Sequence, residues 1–136
     1  MAQDIISWPA DRAKLADYRS TKEFGVEREG DGEPAGQDRA FLRQAVKTDR
    51  QFVADVFELL DRQVDTGGRG EGGVFIRFWC NNRFQRKVVH AWAAEFGCGS
   101  STRGDFWQSK HVVVFQRDQP ARKSALSVGQ LEAASQ

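Results

Sequence analysis

The sequence predicts an α+β fold, a two-layer sandwich in which a three-stranded, mainly antiparallel sheet packs against two helices. Two segments place apolar residues at helical spacing, two short runs are rich in β-branched and aromatic residues, and glycines separate these segments. The 136 residues suffice for one domain with tails. We therefore expect a flexible N-terminal arm over residues 1–37, a folded domain over residues 38–118 and a C-terminal tail over residues 119–136.

The N-terminal arm is predicted to be flexible because residues 28–37 are dense in Gly, Glu, Asp and Pro. Such a segment buries too little apolar surface to offset the entropy that is lost on ordering. Trp8, Tyr18 and Phe24 are still able to dock, either on the domain or on a larger partner. The sequence shows no apolar run of membrane-spanning length and no secretory leader, which predicts a cytoplasmic or nuclear protein with no membrane partner.

The first helical region opens the domain with a short piece over residues 41–46. Thr48 and Gln51 then fit a capping box, a hydroxyl at the N-cap with an amide three residues later, so a longer helix should begin there. The glycine-rich residues 67–73 should end this helix. Its apolar positions have core spacing: Phe52, Val53, Val56, Phe57, Leu60 and Val64.

The second helix is amphipathic, with Asn81 or Asn82 as its N-cap and Gly97 at position C′. At about 100° per residue, its apolar side is formed by Phe84, Val88, Val89, Trp92, Ala93 and Phe96. The opposite side is predicted to face solvent and is formed by Arg83, Arg86, Lys87 and His90.

Three strands surround this helix in the sequence. Residues 74–79 and 111–116 are rich in β-branched and aromatic side chains. Residues 97–104 are small and polar, and they fit a short strand followed by a turn. The resulting order is helix, strand, helix, strand, strand.

Charge is distributed unevenly along a chain whose net charge is only +1. Residues 1–80 hold 12 Lys/Arg and 15 Asp/Glu, whereas residues 81–123 hold 8 Lys/Arg and 3 Asp/Glu. The basic excess therefore surrounds the second helix, which favours a polyanionic partner.

Residues 78–97, Phe-Trp-Cys-Asn-Asn-Arg-Phe-Gln-Arg-Lys-Val-Val-His-Ala-Trp-Ala-Ala-Glu-Phe-Gly, resemble the R-3-H domain, named for an arginine and a histidine separated by three residues. Arg86 and His90 occupy the two signature positions, and β-rich runs lie before and after them. Residues 41–53 also resemble the first helical region of eukaryotic members. The family's small three-stranded sheet with two helices agrees with the predicted order.

The resemblance implies non-catalytic binding of single-stranded RNA or DNA, and we favour RNA. Arg83 and Lys87 join Arg86 and His90 through the helical wheel, and arginine forms forked hydrogen bonds with phosphate oxygens. Two features depart from the family pattern. A proline that is frequent at the strand–helix junction is absent here, and the loop over residues 104–110 is long. No helicase, ribonuclease or zinc-finger region accompanies the domain, so the catalytic activities of longer members are not implied.

The long loop adds aromatic candidates. Phe106 and Trp107 lie between Arg103 and Lys110, and they either stack on bases or fold back onto the sheet edge. The predicted nucleic-acid-binding residues are Arg86, His90, Arg83, Lys87, Arg103, Lys110 and Trp107.

No cofactor, metal or catalytic residue is predicted. Cys80, His90, Cys98 and His111 include no close Cys-x-x-Cys pair, so a zinc site is the less favoured interpretation of these residues. The two cysteines are instead expected to be reduced, partly buried thiols. The glycines at 68, 70 and 73 match a dinucleotide fingerprint formally, but they follow a helix and precede a strand, the reverse of the required order.

A second hypothesis comes from another functional class. The domain then acts as a protein-interaction module or structural subunit of a larger ribonucleoprotein complex, and the apolar arm around Trp8 docks on a neighbouring protein.

Overall fold

The computed structural model describes residues 6–18, 35–66, 74–104, 110–116, 123–124 and 126–134. The described residues form an α+β fold, as predicted, but with a four-stranded mixed sheet and three α-helices instead of three strands and two helices. A short 3-10 helix spans Arg12–Asp17. The other elements in chain order are β1 (Ile6–Trp8), α1 (Ala35–Thr66), β2 (Val74–Trp79), α2 (Arg83–Glu95), β3 (Gly99–Arg103), β4 (His111–Phe115) and α3 (Val128–Ala134).

The sheet has the strand order β1-β2-β4-β3. β4 pairs antiparallel with both β2 and β3, which accounts for the three predicted strands. β1 adds a fourth strand parallel to β2, with Ile6 opposite Ile76 and Trp8 opposite Phe78. The sheet is therefore mixed.

The N-terminal segment is part of the fold, whereas the sequence predicts a flexible arm over residues 1–37. The Trp8 ring lies 5.7 Å from the rings of both Phe52 and Phe78, and Leu15 is only 1% exposed. The Tyr18 hydroxyl donates a hydrogen bond of 2.7 Å to Asp55 on α1. Burial of these apolar and aromatic groups offsets the ordering entropy of residues 6–18; residues 19–34, with Phe24, lie outside the described residues.

α1 consists of two helical pieces joined at Asp49, whose φ of −153° and ψ of 83° are not helical. The Asp49 carboxylate accepts a hydrogen bond from the backbone N–H of Phe52, so Asp49 caps the second piece. The predicted capping box at Thr48 is therefore wrong by one residue. Thr48 instead donates its hydroxyl proton to the carbonyl of Gln44 in the first piece.

α2 lies against α1 with its predicted apolar side buried. Trp92 is fully buried, and its indole N–H donates a hydrogen bond of 3.1 Å to the Val53 carbonyl of α1. The predicted apolar residues Phe84, Val88, Val89, Ala93 and Phe96 are all in the core.

Both ends of α2 are capped as the sequence predicts. At the start, the Asn82 side chain accepts a hydrogen bond from the backbone N–H of Gln85. At the end, Gly97 adopts a φ of 71° and donates to Ala94, while Cys98 donates to Ala93. This pair of bonds is a Schellman motif, which requires a left-handed residue at C′ and so favours glycine there.

The C-terminal segment packs on the domain, although the sequence predicts a loose tail. Leu131 of α3 is fully buried, and Glu132 forms a 2.8 Å ion pair with Arg50 of α1. Lys123, just before α3, pairs with Asp61 of α1 at 2.8 Å. Among the described helices, none is both long and apolar enough to span a membrane.

Candidate nucleic-acid interface

The sheet separates the predicted binding residues into two groups, because side chains alternate between its two sides along each strand. The side that carries the helices is here called the helix side, and it includes Ile76, Phe78, Val112 and Val114, all fully buried. The opposite side is the outer face, formed by Ser7, Arg77, Trp79, Gly99, Ser101, Arg103, His111, Val113 and Phe115.

Arg86 does not lie on a solvent-facing surface, so that prediction is wrong. It is 5% exposed, and its positive charge acts on the Cys80 thiol at the junction between β2 and α2. On the helical wheel Arg86 lies about 60° from Arg83, on the flank of α2 toward the core residues Val89 and Ala93. A helix that packs over a sheet buries such a flank as well as the centre of its apolar stripe.

His90 is half-buried, and its ring faces β3. Its Nδ1 lies 2.6 Å from the Ser100 hydroxyl and its Nε2 lies 2.8 Å from the Thr102 hydroxyl. Ser100 and Thr102 alternate with Ser101, so both hydroxyls lie on the helix side of β3. Both ring nitrogens of His90 are therefore engaged in holding α2 against β3, which sequence reasoning missed.

Arg83 and Lys87 are the more accessible cations of α2. Arg83, the first residue of the helix, is exposed, while Lys87 is half-buried with its ammonium 4.7 Å from the centre of the Phe41 ring. The first turn contains no acidic residue, although carboxylates stabilise that end of a helix. Its cations instead add to the positive end of the helix dipole, a combination that attracts phosphate.

The remaining predicted binding residues, Arg103, Lys110 and Trp107, are not part of α2. Arg103 ends β3 on the outer face and is exposed, and Lys110 lies just before β4 and is half-buried. Trp107 and Phe106 lie outside the described residues. The structure thus places Arg103 on the opposite side of the sheet from α2, and it places Lys110 at the start of β4, next to the Arg103–His111 pair.

The outer face contains two further groups that sequence reasoning did not select, Arg77 and Trp79 on β2. Arg77 lies opposite Val113 in the sheet, and Trp79 lies opposite His111 with ring centres 4.5 Å apart. A signal was available in the sequence, since an arginine interrupts the otherwise apolar residues 74–79. Its position between Ile76 and Phe78 indicates a side chain that points away from the core.

Basic and acidic residues occupy different parts of the structure. Among the described residues from 74 to 116, Glu95 is the one carboxylate, and it is paired with Arg39 of α1 at 2.7 Å. The same residues include six Lys/Arg side chains. The acidic part is the second half of α1, with Asp55, Glu58, Asp61 and Asp65.

The two cysteines are free and buried, as predicted. The Cys80 thiol donates to the Phe78 carbonyl, and burial raises its pKa to about 12 although the Arg86 charge opposes the shift. His90 and His111 lie on opposite sides of the sheet, so the two imidazoles do not face a common site. Within the described part of the chain, no three His, Cys, Asp or Glu side chains cluster as metal ligands do.

The chain matches no protein-family model, no curated protein and no solved structure.

Proposed function

We propose that the protein binds single-stranded nucleic acid without catalysis, and that RNA is preferred over DNA. The observation that carries the proposal is the segregation of charge, since the described residues from β2 to β4 combine six Lys/Arg with one carboxylate, which is already paired. Phosphate backbones are recognised mainly by such concentrations of positive charge.

The exposed cations Arg83 and Arg103 are the proposed backbone contacts. Arg83 lies at the positive end of the α2 dipole, and Arg103 is the last residue of β3. Lys87 and Lys110 are half-buried and extend this surface. His90 holds α2 against β3 and Arg86 is buried, so these two residues are not the proposed backbone contacts.

The resemblance to the R-3-H domain supports the same proposal. Arg86 and His90 lie one turn apart on α2, and β2, α2, β3 and β4 follow in the order that the family's fold implies. The buried free cysteines are those of a chain in a reducing compartment, so we propose the cytoplasm or nucleus.

The alternative role, a structural subunit of a larger complex, assigns the contact with a neighbouring protein to the apolar arm around Trp8. Trp8 packs against Tyr18, Phe52 and Phe78 of its own chain, so its ring is already used within the fold.

Fluorescence anisotropy with labelled single-stranded RNA, single-stranded DNA and duplex of equal length, titrated over salt, tests the proposal. We expect the tightest binding to single-stranded RNA. The double variant Arg83→Ala/Arg103→Ala should lower the log–log salt slope by about 1.4, because each phosphate contact on a single strand contributes about 0.7.

Arg62→Ala is the matched control, since it removes an exposed arginine from the acidic half of α1. It should leave affinity and salt slope unchanged. Absence of binding at low salt, or an equal loss in the control and the double variant, would overturn the proposal.

A further inference from the structure

The outer face of the sheet presents a row of planar side chains that crosses three strands. Trp79 of β2 pairs with His111 of β4, and His111 pairs in turn with Arg103 of β3. Directly opposite residues in neighbouring strands have side chains about 5 Å apart. Indole, imidazole and guanidinium groups all stack on nucleic-acid bases, so the row has the chemistry of a stacking platform.

The platform is held in place by the fold. Trp79 and His111 are both half-buried, their rings are tilted by 48°, and Trp79 also packs against the core. An aromatic group that is fixed before binding loses little side-chain entropy when a base stacks on it.

A buried hydrogen-bond donor lies beside the platform. The Nε of Arg77 makes no hydrogen bond with any of the residues that the structure describes. Arg77 is on the same side of β2 as Trp79, two residues away, and next to Val113, which is 3% exposed. A buried donor that lacks a partner carries a free-energy cost, and a ligand that accepts from it removes that cost.

Charge selects among the possible occupants of this face. Arg77 and Arg103 contribute positive charge, and none of the described outer-face residues is acidic. If Trp79 and His111 only stabilised the sheet as a cross-strand pair, the buried Nε of Arg77 beside them would have no explanation. A single strand supplies exposed bases that can stack on the row. It also supplies phosphate and base-edge oxygens that accept hydrogen bonds from the arginines.

We propose that the outer face is the base-stacking surface of this protein, with Trp79 and His111 stacking on the bases of a single strand and Arg77 and Arg103 donating to them and to the backbone. The inference deepens the proposed function and depends on it. It assigns the bases to the sheet, whereas the proposed function requires only that cations contact phosphates.

Two decamer probes separate the two proposals, an oligouridine and an abasic strand with the same backbone and charge. Trp79→Ala should weaken binding of oligouridine by about 10-fold, within the range of stacking on one base, and change binding of the abasic strand less than about 2-fold. Arg83→Ala should weaken binding of both strands equally. Ser101→Ala, on the same face, is the matched control and should change neither.

Equal affinity of folded Trp79→Ala and wild type for oligouridine overturns the stacking surface, and so does an equal loss for both strands. The proposed function survives either result, because in this experiment it fails when wild type binds neither strand. Thermal melting establishes that each variant is folded. If Trp79→Ala does not fold, Trp79→Phe and His111→Ala carry the same comparison, with a smaller selective loss for oligouridine.

Discussion

The two sides of the sheet carry similar residue types but use them differently. On the helix side, Arg86 is 5% exposed and His90 contacts two hydroxyls of β3. On the outer face, Arg103 is exposed, and the buried Nε of Arg77 makes no hydrogen bond with the described residues. Arginine and histidine therefore lie where elements pack on one side of the sheet, and they form part of the proposed stacking surface on the other.

This difference separates the Arg-x-x-x-His motif from the proposed nucleic-acid interface. Arg86 and His90, the two residues of the motif, lie where α2 packs against the rest of the fold, whereas Arg83 and Arg103 are exposed to solvent. Substitutions on the helix side should act mainly through stability, and substitutions on the outer face mainly through binding.

The largest expected effect on stability is that of Arg86→Ala. It removes a buried charged side chain together with its packing at the junction of β2 and α2, so the free energy of unfolding should fall by about 2–4 kcal/mol. Urea denaturation measures this change. Arg83→Ala, three residues away and exposed, is the control and should change stability by less than about 0.5 kcal/mol. Equal effects of the two variants would contradict the burial of Arg86.

His90→Ala should cost about 1–2 kcal/mol, because it leaves the Ser100 and Thr102 hydroxyls without their imidazole partner. A double-mutant cycle with Thr102→Val isolates the interaction across α2 and β3. A coupling energy near zero would show that the imidazole does not bind β3 in solution.

Cys80 makes stability depend on pH in the alkaline range. Its pKa is raised from 9.0 to about 12 in the folded protein, so the unfolded chain loses the thiol proton first as pH rises. The stabilising contribution is complete well below pH 9 and decreases above it, by about 1.4 kcal/mol at pH 10. Denaturation between pH 8 and pH 10 under reducing conditions measures the decrease. Cys80→Ala should flatten the profile, and an unchanged profile would count against the buried thiol as its cause.

Arg103→Ala should have the smallest effect on stability, within about 0.5 kcal/mol, because the side chain is exposed at the end of β3. The same variant should weaken the binding of single-stranded RNA. Urea denaturation and anisotropy on one preparation test both statements. A loss of stability as large as that of Arg86→Ala would remove the distinction between the two sides of the sheet.

Local patterns predicted α2 and its caps well, since helical spacing, the Asn82 N-cap and the Gly97 C′ position each depend on a few neighbouring residues. The α1 cap was misplaced by one residue, because Thr48 and Asp49 are both good capping residues and only the backbone conformation at Asp49 decides between them. The predicted set of nucleic-acid-binding residues joined Arg103 with residues of α2, which lie on the other side of the sheet, and it did not include Arg77 and Trp79 of the proposed stacking surface.

By itself, the sequence determined the α+β class, the apolar stripe of α2, the three strands β2 to β4 and the basic excess around them, because these follow from local periodicity and composition. Only the tertiary structure decided that residues 6–8 join the sheet and that α3 packs on α1. It also decided which polar side chains are buried. The reason is that the burial of Arg86 and the contacts of His90 with Ser100 and Thr102 depend on how α2 packs against the sheet, and no local pattern encodes that packing.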